Sequence, residues 1–269
     1  MKRILTIQDL SCVGKCSTTV ALPILSAMGV SCSVLPTAVL STHTAFPDPH
    51  IHSLTEDIVP VAEHLQQVGA EFDAILVGYL ADPTQAEAVL EVMSTFDCLV
   101  ILDPAMGDHG KLYGGITEEQ VSAMTDLATM AQVVLPNVTE ACKMTGVPYQ
   151  EQTDGQMLRM MLERLCRMKT QTAIITGVMP AEDQIGFVGL QAGEGMFSYR
   201  ADRRDRALHG TGDMFSAVFT GAYVLGRDPM EAAELAAKFV ERVVDATPNP
   251  TPFGAEFESQ LPWLWEQLQ

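Results

Sequence analysis

Short, nearly continuous apolar runs recur along the chain, and amphipathic stretches of helical period separate them. Arg3–Ile7, Val30–Leu35, Ala74–Val77, Cys98–Leu102, Val133–Leu135 and Ala173–Thr176 read as strands covered on both faces. Between them, helices are predicted over Ser17–Met28, stopped by Gly29, over Thr55–Val68, with Thr55 as cap, and from near Pro83. Others start at the capping-box pattern Thr117-Glu118-Glu119-Gln120 and after Pro136, and one covers about Gln156 to Lys169. Gln184–Leu190 and Met196–Tyr199 form a predicted hairpin around Gly193-Glu194-Gly195. Met214–Leu225 is largely apolar and lacks Pro, as a buried helix requires. Gly226-Arg227-Asp228-Pro229 then breaks the chain, an Ala-rich helix covers about Met230 to Ala246, and Pro248, Pro250 and Pro252 stiffen the approach to a final helix. This alternation predicts an α/β fold, a mainly parallel sheet with helices on both faces. With no internal repeat and no long linker, residues 1–269 are expected to form a single domain.

The polar residues gather where strands end, and in open parallel sheets ligands bind at the carboxyl ends of the strands. Gln8–Lys15 reads as a polar loop carrying Asp9. It is no P-loop, which needs Gly where Asp9 stands and Ser or Thr where Cys16 stands. Pro36–Pro47 is rich in hydroxyls and contains His43 and Thr44, with His43 read as a contact and not as a base. His50 and His52 fall in a loop and suggest nothing by themselves. Gly78-Tyr79-Leu80 follows one strand and Asp103-Pro104-Ala105-Met106-Gly107-Asp108 another; the latter, with glycines up to Gly115, fits a metal or phosphate contact beneath a mobile flap. Asn137 and Glu140 share one helical face, either as an ordinary cap or as ligands.

His209-Gly210-Thr211-Gly212-Asp213-Met214-Phe215-Ser216 carries the sharpest chemistry. Two glycines around a small hydroxyl residue let backbone N–H groups face a ligand, and the helix that follows offers unpaired donors at the positive end of its dipole. Such a site takes an anion. A carboxylate would repel that anion, yet Asp213 suits a base that removes a proton from a hydroxyl attacking phosphorus. The plainer alternative is a helix cap made of Thr and Asp.

Composition narrows the partners. Sixteen Lys and Arg against 34 Asp and Glu give a formal charge of −18, with no basic run to follow a nucleic-acid backbone. A nucleotide remains possible where backbone N–H groups and a metal ion offset the global field. Six scattered cysteines lack zinc-like spacing and predict reduced thiols in the cytoplasm. No apolar run approaches the roughly 18 residues a membrane span needs.

Taken in order, Ile7-Gln8 with Gly14, Ser41-Thr42-His43-Thr44, Gly78-Tyr79-Leu80, Asp103-Pro104-Ala105-Met106-Gly107, Pro136-Asn137-Val138-Thr139-Glu140 and Gly210-Thr211-Gly212-Asp213 resemble the ribokinase-like superfamily, in its pyridoxal (vitamin B6) kinase branch. The resemblance covers nearly the whole chain. It implies a three-layer α/β/α fold, a homodimer, and transfer of phosphate from MgATP to the 5′-hydroxymethyl of pyridoxal, pyridoxine or pyridoxamine. It implies Asp213 as base, an anion hole from Gly210, Thr211 and Gly212, and a pyridine pocket with His43, Thr44 and Tyr79. Asp103, Asn137 and Glu140 would lie near Mg²⁺ and the phosphates, with Asp103 and Glu140 nearest the metal, Thr176 on the nucleotide, and Gly107–Gly115 as a lid. Relatives often carry Ser where Asp9 faces the ring, so Asp9 is expected to favour pyridoxamine or a cationic ring. Pro47-Asp48-Pro49-His50 lacks the glycines of that branch. Hydroxymethylpyrimidine kinases, on the same fold, usually carry Cys in place of Asp213; a vitamin- or nucleotide-binding protein without turnover is the alternative of another class.

Overall fold

The computed structural model describes residues 1–168, 170–204, 206 and 208–269. The chain runs through β1 (Arg3–Val13), α1 (Thr18–Ala27), β2 (Ser31–Thr42), β3 (Ile51–Ser53), α2 (Thr55–Gln67), β4 (Ala74–Val77), α3 (Gln85–Thr95) and β5 (Leu99–Leu102). A small hairpin of β6 (Gly107–Asp108) and β7 (Lys111–Leu112) precedes α4 (Glu118–Ala128), β8 (Val133–Val134), α5 (Val138–Thr145) and α6 (Gly155–Cys166). Then come β9 (Thr172–Val178), β10 (Gln184–Gln191), β11 (Gly195–Asp202), α7 (Thr211–Val224), α8 (Pro229–Ala246) and α9 (Leu261–Glu266).

One sheet of order β11-β10-β9-β8-β5-β4-β1-β2-β3 runs through the molecule. Its six central strands are parallel, while β3 and β10 join antiparallel. Helices α2 to α6 pack one apolar layer against it and α1, α7, α8 and α9 the other. The expected three layers are therefore present. α7 has a reason to be apolar all round, because it lies between the sheet and its helical neighbours and is buried along nearly its whole length. No helix among the described residues is long and apolar enough to cross a membrane.

Several local expectations fail for physical reasons. The segment read as a loop after Ile7 continues as strand to Val13, and β2 likewise runs through Pro36 to Thr42. In the β1 extension Asp9 and Ser11 face a cavity, and in the β2 extension the buried Thr37 bonds the Tyr79 carbonyl, so no apolar period marks them. His52 belongs to β3. Leu54, not Thr55, precedes α2, and the Thr55 hydroxyl is held by Ser53 and Asp82. Only half of the Thr117 capping box forms: Thr117 accepts from the Gln120 amide, but the Gln120 side chain donates to the Leu80 carbonyl at 2.5 Å. The α6 helix begins at Gly155, capped by Asp154, and the Lys169 end of the expected helix lies outside the described residues.

Buried glutamines shape the acceptor side of the fold. Gln85 Nε2 donates to the Thr37 carbonyl at 2.7 Å, and its Oε1 accepts the Ala81 N–H at 2.8 Å. Thr37 Oγ1 in turn donates to the Tyr79 carbonyl at 3.2 Å. Together with Gln120, these groups fix the turn carrying Tyr79. Gln85→Ala would strand a buried carbonyl and an N–H, and is expected to cost about 2–3 kcal/mol in urea unfolding with an unchanged m-value. A loss below about 0.5 kcal/mol, ordinary for a surface change, would refute that bracing role.

Candidate active site

The carboxyl ends of β1, β2, β4, β5, β8 and β9 open into a cavity of about 570 Å³, within the usual range for ligand sites. Twelve residues expected from the sequence to act on substrate, nucleotide or metal line it: Asp9, His43, Thr44 and Tyr79 from the β1, β2 and β4 ends, Asp103 after β5, Asn137 and Glu140 at the start of α5, Thr176 on β9, and Gly210 to Asp213 at the start of α7. Positions scattered over 205 residues of sequence are thus gathered on one surface.

At the cavity floor Gly210, at φ 87°, precedes α7. Met214 N–H makes the first helical bond, to the Gly210 carbonyl at 3.0 Å, and the N–H groups of Thr211 and Gly212 find no protein acceptor among the described residues. They form an anion cradle of the kind a helix start provides. The cap reading is thereby reduced, since no side chain caps α7. Asp213, which lines the cavity, is pushed up to about 8 by desolvation and then by Asp103; the Ser17 N–H opposes the shift. Ser17 itself holds a strained positive φ of 46° just before α1, so a second helix start converges on the same carboxylate.

Two further acids lie close by. Asp103 accepts Ser216 Oγ at 2.6 Å and is raised to about 6 by burial. Glu140 is raised well above the ordinary carboxylate range, by burial and by Asp103. Glu140 also does structural work: Oε2 accepts the Asn137 N–H at 2.8 Å and Oε1 that of Met106 at 3.0 Å, while Asn137 Oδ1 accepts the Glu140 N–H. Asn137 and Glu140 therefore form a full capping box. Asn137 Nδ2 also donates to the Gly107 carbonyl at 2.7 Å, and Gly110 N–H to Thr139 Oγ1 at 2.9 Å. The α5 start thus anchors the β6–β7 hairpin, whose Asp108, His109 and the following Tyr113 overhang the cavity.

His43 contributes shape more than hydrogen bonds. Its Nε2 faces the Pro252 carbonyl at 2.8 Å, so that nitrogen carries the proton, and Nδ1 accepts the Ala45 N–H at 3.3 Å. Its ring stacks on His209 at 3.7 Å and packs over Gly14, where any Cβ would come within 2.4 Å of the imidazole. His209 is driven down to about 4 by burial and by His43, so it stays neutral. A strap at 252–255 ties these pieces together: Pro252 receives His43, the Phe253 carbonyl accepts the Lys15 N–H at 2.9 Å, and Ala255 N–H donates to the His209 carbonyl at 3.2 Å. Sequence reading gave no role to Ser17 or to Ser216, the last residue of the His209–Ser216 stretch, and missed this strap. The Gly14 signal was visible, but its cause was not.

A buried carboxylate beside unpaired helix-start N–H groups, at the strand ends of this three-layer α/β/α fold, fits a phosphotransferase of the ribokinase-like class. The chain belongs to the phosphomethylpyrimidine kinase family, whose model matches residues 22–257. It is 30% identical over 263 residues to a pyridoxine/pyridoxal/pyridoxamine kinase of Bordetella pertussis, covering 91% of this chain and 89% of the relative. Among solved structures, the pyridoxal kinase of Lactobacillus plantarum superposes with a TM-score of 0.91 at 30% identity, covering 99% of this chain and 98% of that one. A Bacteroides thetaiotaomicron protein described as a phosphomethylpyrimidine kinase, in a crystal form with pyridoxal, gives 0.93 at 32% identity, covering 98% and 95%.

Proposed function

We propose that this chain, as a single kinase domain over residues 1–269, transfers the γ-phosphoryl group of ATP to the 5′-hydroxymethyl of pyridoxal, pyridoxine or pyridoxamine. The observation that carries the reading is Asp213, a carboxylate raised into the neutral range beside unpaired N–H donors on the floor of a ligand-sized cavity. A base tuned near the working pH can accept the alcohol proton as the oxygen attacks, while Gly210, Thr211 and Gly212 present N–H groups to the transferred phosphoryl. Asp9, His43, Thr44 and Tyr79 wall the acceptor end, and burial with Asp9 pushes the Tyr79 hydroxyl up to about 12, which keeps it a donor. Asn137 and Thr176 serve the nucleotide end, with Asp103 and Glu140.

The donor set suits Mg²⁺ carried in on phosphates and not caged by protein. No group of three or more His, Cys, Asp or Glu converges among the described residues, and both Glu140 oxygens already accept main-chain N–H groups. Mg²⁺ keeps most of its waters and needs only one or two carboxylates. Asp103 would hold it and Glu140 would add negative charge behind; the ion would neutralise charge on the phosphates. Free thiols at all six cysteines suit the reducing cytoplasm. Exposed Leu10, Val13 and Ile51, on the outer ends of β1 and β3, offer a face for a second copy of the chain.

Steady-state phosphorylation of the three vitamers and of hydroxymethylpyrimidine with MgATP tests the reading. A B6 vitamer is expected to show the highest kcat/KM. Preference for hydroxymethylpyrimidine would overturn the substrate, and absence of turnover on all four would leave a binding protein.

A further inference from the structure

Asp9 is a costly residue where it stands. It is 2% exposed, inside β1, at the point where the register against β2 slips: Gln8 pairs with Pro36 and Leu10 with Val39, so Asp9 has no paired partner. Irregularities of this kind re-aim side chains and recur beside active sites. Ser11 Oγ donates to Oδ2 at 3.1 Å and the Ser17 hydroxyl lies on the same carboxylate, but neither carries charge. No lysine or arginine forms an ion pair with it among the described residues, and the ring of His43, which bears on it, turns its two nitrogens to Pro252 and Ala45. Burial accordingly lifts Asp9 above its ordinary range.

A buried carboxylate without a cation is destabilising, and a packed core has no use for one. Asp9, however, lines the cavity, and its charge is felt by Cys16, which also feels Asp213, and by Tyr79. It therefore sits at the acceptor end beside the base, apart from the arginines Arg203, Arg204 and Arg206 that line the cavity elsewhere.

Resting on the B6-kinase reading, we infer that Asp9 is a specificity-determining residue that selects acceptors bearing a cationic nitrogen, whether a protonated ring nitrogen or an aminomethyl group, over neutral rings of the same shape. The incoming cation supplies the counter-charge the fold omits, and the two serines hold the carboxylate ready for it. A hydrogen bond between ionised partners is about twice as strong as a neutral one. Ser at this position would still offer a hydrogen bond but no charge.

The test compares wild type, Asp9→Asn and Asp9→Ser on pyridoxamine, pyridoxine, pyridoxal and a benzyl alcohol analogue with CH in place of the ring nitrogen. Acceptor binding without ATP is measured alongside turnover. The ratio of kcat/KM for pyridine acceptors to that for the carbon analogue is expected to fall about 10- to 100-fold in both variants, the worth of one charge-assisted hydrogen bond, chiefly through acceptor KM. Loss confined to pyridoxamine assigns the contact to the amine; loss shared by all three vitamers assigns it to the ring. Equal loss on all four acceptors, as from a merely structural Asp9, overturns the inference, as does an unchanged ratio. If vitamers bind in an Asp9-dependent manner but are not phosphorylated, the inference stands and the kinase reading falls.

Discussion

Asp213→Asn is expected to lower kcat by about 10²- to 10⁴-fold on every acceptor, the span usual for loss of a general base, with KM for ATP changing less than about threefold. The amide keeps the size of the side chain and the N–H groups of the α7 start stay in place, so nucleotide binding has no reason to weaken. Turnover needs Asp213 ionised. With its pKa near 8 in the free enzyme, kcat/KM should climb through neutrality on the acid limb, and that limb should vanish in the variant. Stability must move the other way. Between the ordinary carboxylate pKa of 3.8 and about 8, folded Asp213 holds a proton that the unfolded chain has released, so raising pH through this window removes stability. Asp103, lifted to about 6, adds to the same trend. Ligand-free wild type should therefore melt at falling temperature as pH rises from 5 to 8, roughly a few degrees in total, and Asp213→Asn should melt higher than wild type at pH 8. A variant within about threefold of wild-type kcat, or one that melts lower at pH 8, would remove Asp213 from the role of buried base.

Gly210→Ala should be nearly as damaging by a purely steric route. A Cβ at Gly210 would stand 2.0 Å from the Lys15 carbonyl oxygen, at a φ of 87° that L-residues rarely adopt. That carbonyl has little freedom to withdraw, because the Lys15 N–H is held by Phe253 and Lys15 Nζ pairs with Glu258 at 2.8 Å. The expected cost is about 1–3 kcal/mol of stability from backbone strain, with kcat down at least about 100-fold as the anion cradle distorts. Gly212 makes the control, since nothing lies within 4 Å of a Cβ there and its φ is not positive. Gly212→Ala should keep or slightly raise the melting temperature, as Ala does within helices. Equal destabilisation by both substitutions would show that glycine content, not the Lys15 contact, matters at this loop.

The two glycines also show where the sequence is readable. A buried parallel strand such as β4 announces itself by four consecutive apolar residues, and α7 by an apolar run too long for a strand. Site residues were legible because they follow such runs, and the fold then brings Asp9, Asp103 and Asp213 into one cavity. The extended ends of β1 and β2 were not legible, since Asp9 and Ser11 turn to the cavity and Thr37 to the Tyr79 carbonyl, which leaves no apolar alternation to display. Nor were Gln85 and Gln120, which look like surface residues in any local window and are buried only because carbonyls some forty residues away need donors. Asn137 and Glu140 offered a choice between cap and ligand. The capping box is formed in full, and the same Glu140 keeps its carboxylate beside Asp103.

The strap at 252–255 has a consequence for biosynthesis. Every strand of the sheet and the whole catalytic loop precede it in the chain, yet it supplies the contacts that seat His43, Lys15 and His209 around the cradle. On the ribosome every strand emerges before the site can be braced, so the cradle is seated only after residues 252–255 are free to dock. Phe257 and Leu264, which follow the strap, are buried in the apolar layer of α1, α7 and α8, so termination before it would remove both the bracing of the cradle and part of that layer.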